Sequence, residues 1–145
     1  MSAVSAVPAG FELIPPFGQF HEMCGPMYAK KADNGFVIGM LLAEKHGNLG
    51  HNLHGGMLAM LIDTAFTYTS RHSRNPPEPS VTINLAIDMM GVAKPGDWLE
   101  AHVDVARLGR KITFLNCFVF RGTERIARGN GVFQVMNRKP AAPAG

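Results

Sequence analysis

Between Asn48 and Arg74 the chain reads NLGHNLHGGMLAMLIDTAFTYTSRHSR, and no other stretch limits the fold as tightly. Gly55 and Gly56 open a run, Met57 to Ile62, that is apolar on every side, and a helix apolar all round is normally enclosed by the rest of its domain. Asp63 interrupts that pattern. A carboxylate in the middle of a buried helix is costly unless it is paired, hydrogen-bonded or functional. The helix is predicted over 55–73: Arg71, His72 and Arg74 suit the negative end of its dipole, and Asn75-Pro76-Pro77 stops it.

Two strands are predicted before it, at 27–32 and 36–43, flanking Asp33-Asn34-Gly35, whose Asn-Gly is a hairpin signal. Residues 44–53 are polar and irregular, with Asn48, Gly50 and Asn52 as turn formers. Four strands are predicted after the helix. The run 80–90 carries Val81, Ile83, Leu85, Ile87 and Met89 on one face and Thr82, Asn84 and Asp88 on the other. The run 98–108 points Leu99, Ala101, Val103 and Val105 inward, and 112–120 and 125–135 follow. Turns at Lys94-Pro95-Gly96, Gly109-Arg110 and Gly122 are short enough for antiparallel hairpins. A single helix of ~28 Å, apolar all round, needs a sheet long enough to curl about it. The fold class is therefore α+β: a long central helix wrapped by a curved antiparallel sheet of about six strands.

Phe11 to Pro26 is broken by prolines and glycines, which predicts a coil or short helical turn lying across the body, anchored by Phe17 and Phe20. Residues 11–138 make one domain. The ends, 1–10 and 139–145, are small, Pro-rich and without periodicity, and are read as flexible.

Fourteen Lys and Arg against eleven Asp and Glu give a net charge of +3, scattered except at Arg107 to Lys111 and at Arg138 and Lys139. That is too little for a nucleic-acid footprint and enough to hold a small anion. Cys24 and Cys117 lie far apart, which suggests neither a disulfide framework nor a zinc site and points to a reducing cytoplasm. The N-terminus lacks a basic, then apolar, leader, and no stretch approaches the ~18 apolar residues of a membrane span. A soluble, cytoplasmic protein is expected. His46, His51 and His54 lie on an irregular loop without a carboxylate or cysteine at ligand spacing, so they read as loop histidines rather than a metal site. His21 and Cys24 are neighbours in a Pro-interrupted coil rather than a nucleophile and its base, and Cys117, among Phe114, Leu115, Phe118 and Val119, reads as a small buried hydrophobe.

The N-terminus of a helix offers unpaired N–H groups and about half a positive charge, so it can hold a developing oxyanion. Gly55 and Gly56 would let a substrate approach that backbone, although two glycines can equally serve only tight packing. Asp63 lies eight residues on, ~12 Å along the axis, so one carbonyl cannot touch both groups within one chain. If they cooperate, Asp63 must come from a second copy whose helix lies antiparallel beside the first. The alternative is a carboxylate satisfied by neighbouring hydroxyls such as Thr64 or Thr67.

Asn48, His54-Gly55-Gly56, Asp63, Val81-Thr82, Gly109-Arg110 and the closing ARGNGVF at 127–133 together resemble the hotdog-fold acyl-CoA thioesterases of the phenylacetyl-CoA thioesterase type, over about 36–135. The resemblance implies that Gly55 N–H polarises a thioester carbonyl and that Asp63, supplied across a dimer, activates water or attacks directly. It implies that Asn48 orients the thioester or the water, that His54 holds the loop, and that Thr82 positions the attacking water. It implies an acyl-CoA substrate and a homodimer, two of which form a tetramer in similar proteins; no cofactor or metal is expected. Guanidinium forks suit the phosphates of CoA, which makes Arg107, Arg110 and Lys111 candidates for them, or else a solvated turn. Met89 and Met90 are candidates for an acyl pocket, and Phe66 and Tyr68 for limits on its size. A hydratase would need a catalytic histidine with an acidic partner in another spacing. A non-catalytic acyl-CoA binder would keep the basic rim and apolar tunnel but leave Asp63 unexplained.

Overall fold

The alternating runs fold into strands and the turn residues fall between them. In the computed structural model, which describes residues 7–136, β1 spans Glu12–Leu13, α1 Gln19–Cys24, β2 Tyr28–Ala32, β3 Gly35–Leu41, α2 Gly55–His72, β4 Ser80–Met89, β5 Trp98–Leu108, β6 Ile112–Arg121 and β7 Glu124–Val135. The strands form one antiparallel sheet in the order β1-β2-β3-β5-β6-β7-β4, with α2 packed on its inner face. This is the hotdog arrangement. The seventh strand, β1, is a two-residue pairing of Glu12 and Leu13 with Ala29 and Tyr28, too short to carry a periodic signal. Residues 1–6 and 137–145, which include Arg138, Lys139 and the C-terminal end read as flexible, lie outside the described residues. No helix among the described residues is long and apolar enough to cross a membrane.

The core is the inner face of the sheet closed by α2. Leu61, Ile62, Ala65 and Phe66 are fully buried against Ile38, Met40, Leu99, Leu115, Val119, Ile126 and Phe133. Each large side chain so placed is worth roughly 1.5–3 kcal/mol of burial. Phe66 and Phe133 meet edge to face at 6.0 Å over Gly131, where a Cβ would stand 2.6 Å from the Phe66 ring. Gly131→Ala is therefore expected to cost about 1–3 kcal/mol by overpacking, read as a lower denaturation midpoint. An unchanged midpoint would show that the two rings yield freely.

The β2–β3 hairpin closes through the pair Ala32 and Gly35, so the loop is Asp33-Asn34 alone. Gly35 opens the next strand at φ 144, and a Cβ there would meet Val103 O at 2.5 Å.

Three expectations are corrected. Phe20 does not anchor the N-terminal segment, being 65% exposed, and Phe17, 43% exposed, meets the rings of His21 (5.2 Å) and Tyr68 (6.5 Å), while Ile14, His21 and Met27 are the buried side chains that hold the segment. The six residues of α1 turn Phe20 and Met23 outward while His21 accepts the Phe17 N–H at Nδ1 (3.1 Å). Nor is α2 enclosed on every side. Gly56 is exposed and Ala59, Met60, Asp63, Thr67 and Arg71 are half-buried at three- and four-residue spacing, a stripe that one chain's sheet leaves open. The apolar residues of β4 are also less covered than their alternation suggests. Val81, Ile83 and Met89 are exposed, because β4 is the last strand, pairs with β7 on one side, and shifts register between Thr82 and Asn84.

Candidate active site

The start of α2 is shaped by the loop before it. Asn48 Oδ1 accepts N–H groups from Gly50 (2.9 Å) and Asn52 (3.2 Å), and the Asn48 N–H donates to Asn52 O (2.7 Å). His46 is buried, accepts the Ala43 N–H at Nδ1 (2.9 Å) and donates from Nε2 to Cys24 O (2.6 Å), so both ring nitrogens are committed. Its carbonyl takes the His54 N–H (2.9 Å), which carries the chain into the helix. The loop borders an open depression of about 780 Å³ lined by Gly47, Asn48, Leu49, Gly50, Asn52 and His54.

Burial holds His46 below its ordinary pKa of 6.5, more than the Cys24 carbonyl raises it, and His21 and His72 are lowered by burial as well. A depressed pKa means that the unfolded chain takes the proton first. Their contribution to stability is complete above pH 6.5 and is lost as pH falls from there through the folded values. Denaturant titrations at pH 7.5 and 5.5 are expected to show lower stability at the acid value, with a smaller difference in His46→Gln. Equal stability at both would contradict the assignment.

His54 is the N-cap of α2, and its Nδ1 accepts the Gly56 N–H at 2.8 Å. Met57 and Leu58 N–H groups turn back to His54 O. The Gly55 N–H is left with no acceptor among the described residues. Met89, from the end of β4, lies over this point, its sulfur 3.1 Å from where a Gly55 Cβ would be. Met90 is exposed, with its N–H on Ile126 O.

Asp63 stands two turns further along the open stripe. Thr82 Oγ1 donates to its Oδ1 at 2.7 Å. The hydroxyls of Thr67 and Thr64 turn instead to Asp63 O (2.8 Å) and Met60 Sδ (3.5 Å), so the carboxylate's partner comes from β4 and not from its own helix. Arg107, Arg110 and Lys111 are exposed at the β5–β6 turn. That turn sits at the other end of α2, since Gly109 O accepts from Arg74 Nη2 at 2.6 Å. Eighteen helical residues put it ~27 Å from the Gly55 of the same chain. The fold thus gathers Asn48, His54, Gly55, Gly56 and Met89 at one end and Asp63 with Thr82 in the middle. The three cations lie at the far end. Cys117 is buried among the sheet's inner residues, and burial pushes its thiol up to about 12, which leaves it unreactive.

Sequence reasoning missed a polar node at the far end of α2. Ser70 Oγ donates to Thr113 Oγ1 (3.3 Å), Ser80 Oγ donates to Ser70 Oγ (3.2 Å), and Arg74 Nη2 donates to Thr113 Oγ1 (2.9 Å) as well as to Gly109 O. Only Arg74 left a signal, as one of several cations near a helix end, because no local pattern pairs residues 39 apart.

The family model described as Thioesterase superfamily matches residues 50–127, more than half of the chain. A Pseudomonas aeruginosa protein provisionally named an esterase is 36% identical over 130 residues, which cover 89% of this chain and 97% of that protein. The PaaI protein from the phenylacetic acid degradation operon of E. coli superimposes with a TM-score of 0.70 at 23% identity, covering 77% of this chain and 80% of its own. A Streptococcus mutans protein solved bound to acetyl CoA superimposes with a TM-score of 0.68 at 17% identity, covering 93% and 95%. Both superpositions bear on the fold alone.

Proposed function

Since this chain belongs to the thioesterase superfamily and is a thioester hydrolase, we propose that it hydrolyses acyl-CoA thioesters in a homodimer, each site combining Gly55 of one subunit with Asp63 of the partner subunit. The observation that carries this reading is the separation of two unfinished half-sites on one helix: a free Gly55 N–H at its start, and a half-buried Asp63 held by Thr82 eight residues along. An antiparallel second copy of α2 completes both halves at once, each Asp63 facing the partner's helix start, whose positive end attracts a carboxylate. The midpoint of such a pairing falls at Ala59, a small side chain on the half-buried stripe.

β4 supports the same pairing. Its ten residues bond to β7 on one side only among the described residues, and an unpaired strand with Val81, Ile83 and Met89 exposed is a template for a second strand. The bound acetyl CoA of the Streptococcus mutans protein, on the same fold, supports CoA as the thiol.

In this arrangement the Gly55 N–H and the helix dipole receive the carbonyl oxygen as it becomes an oxyanion. Asp63 of the partner subunit takes a proton from water as the water attacks the carbonyl carbon, or attacks that carbon itself to give an anhydride that water opens. Either route ends in the acid and CoA thiol. Thr82 fixes the carboxylate, Asn48 and His54 shape the loop and cap, Gly56 leaves room for the His54 ring that caps the helix, and Met89 and Met90 border the acyl group. The antiparallel partner brings its Arg107, Arg110 and Lys111 to this end of the helix, where they meet the phosphates of CoA. Two such dimers pair into a tetramer, and the free thiols of Cys24 and Cys117 suit the cytoplasm.

The test is release of CoA thiol from a panel of aromatic and aliphatic acyl-CoAs, with binding followed in parallel. Turnover of at least one thioester supports the reading. Tight binding without turnover of any would overturn it in favour of a non-catalytic acyl-CoA binder.

A further inference from the structure

Arg74 is a half-buried guanidinium that the catalytic reading does not use. Among the described residues no carboxylate pairs with it, and its Nε is buried without a hydrogen-bond partner. A buried donor left without a partner is costly to keep. What it does is hold a turn. Nη2 bonds Gly109 O at 2.6 Å and Thr113 Oγ1 at 2.9 Å, one contact on each side of Arg110 and Lys111. The rest of the turn is tied as firmly: Gly109 N–H donates to Ile112 O (2.8 Å), Lys111 O accepts the Val135 N–H (2.8 Å), and Thr113 is fixed in turn by Ser70. A Cβ at Gly109 would stand 2.5 Å from Ile112 O, so only glycine fits this close turn.

From this geometry we infer that Arg74 is a positioning residue for the CoA phosphates, fixing the β5–β6 turn so that Arg107, Arg110 and Lys111 present a preformed cationic rim. The inference rests on the acyl-CoA reading of that turn. A guanidinium suits the task because the two hydrogens of its planar Nη2 group are held at fixed angles, one toward the Gly109 carbonyl and one toward the Thr113 hydroxyl. Its charge is eased by the carbonyl end of α2 and adds to an end of the molecule where Arg71, Arg107, Arg110 and Lys111 also lie, so an anion arriving there meets a positive field. Because that end lies far from the subunit's own Gly55, Arg74 serves the site completed by the partner's Gly55.

The experiment compares an acyl-CoA with the N-acetylcysteamine thioester of the same acid, which has the reacting bond but no phosphates. Arg74→Met is expected to raise KM for the acyl-CoA ~10-fold, to leave kcat within about twofold, and to leave KM for the truncated thioester unchanged, since uniform binding is what is lost. Arg74→Lys should fall between. Thr113→Val, which keeps the volume and removes one anchor, should show the same selective rise at smaller size and decides the matter if Arg74→Met does not fold. Equal KM changes for both substrates, or none for the acyl-CoA, overturn the inference. The double substitution Arg110→Gln and Lys111→Gln separates the two failures. If it does not distinguish the substrates, the phosphate reading of the turn has failed. If it does while Arg74→Met and Thr113→Val do not, the positioning role alone has failed.

Discussion

Asp63→Asn is expected to lower acyl-CoA hydrolysis by a factor of ~100 or more while leaving substrate binding and the fold intact. Asparagine keeps the shape and can still accept the Thr82 hydroxyl, which now donates to Oδ1 at 2.7 Å. What it loses is the charge that could take a proton from water or attack the carbonyl. A half-buried position on the open stripe also means that no core contact is removed, so lost activity reports on chemistry rather than folding. Thiol release and ligand titration on the same preparation check this. A fully active Asp63→Asn would assign the base to another group.

Gly55→Pro is expected to lower kcat by a factor of ~10²–10³, the usual cost of one oxyanion-hole donor, with little loss of stability. Proline is well tolerated at the first helical position, where the N–H has no intrahelical partner. The residue before it, the cap His54, sits at φ −66 and ψ 132, an extended conformation that a following proline accepts. The added ring atoms would meet the end of the flexible Met89 side chain, which can move. Gly55→Ala carries the same Cβ but keeps the N–H, so it separates crowding from loss of the donor. If proline and alanine lower kcat equally, the N–H is not the working group.

Much of this arrangement was legible in the sequence. The β-strands and α2 follow from period and turn chemistry: Ser80–Met89, Trp98–Leu108 and Glu124–Val135 lie within a residue of the predicted runs, because the residues that stop them, such as Gly96 and Gly122, are turn formers whatever their surroundings. Asp63 was legible as an anomaly, since a carboxylate inside an apolar run conflicts with burial. What was not legible depends on contacts across the fold. That Phe20 faces outward while Ile14, His21 and Met27 anchor the segment is decided by what lies beneath α1, not by hydrophobicity. The uncovered stripe of α2 reflects how far one chain's sheet can reach. Thr82 as the partner of Asp63 spans 19 residues and a change of element, and the Arg74 node spans more.

The central claim is that one active site takes its oxyanion donor and its carboxylate from different subunits. The direct test co-expresses Asp63→Asn and Gly55→Pro chains under different tags and measures the mixed dimer. Each parent is inactive at both sites, but the mixed dimer holds one site with an intact Gly55 and an intact Asp63 from its partner. Random pairing of the two chains in a two-fold dimer then predicts about a quarter of wild-type activity, with about half of the wild-type rate in the purified mixed species. Activity no greater than that of the parents would place both groups in one chain and contradict the account.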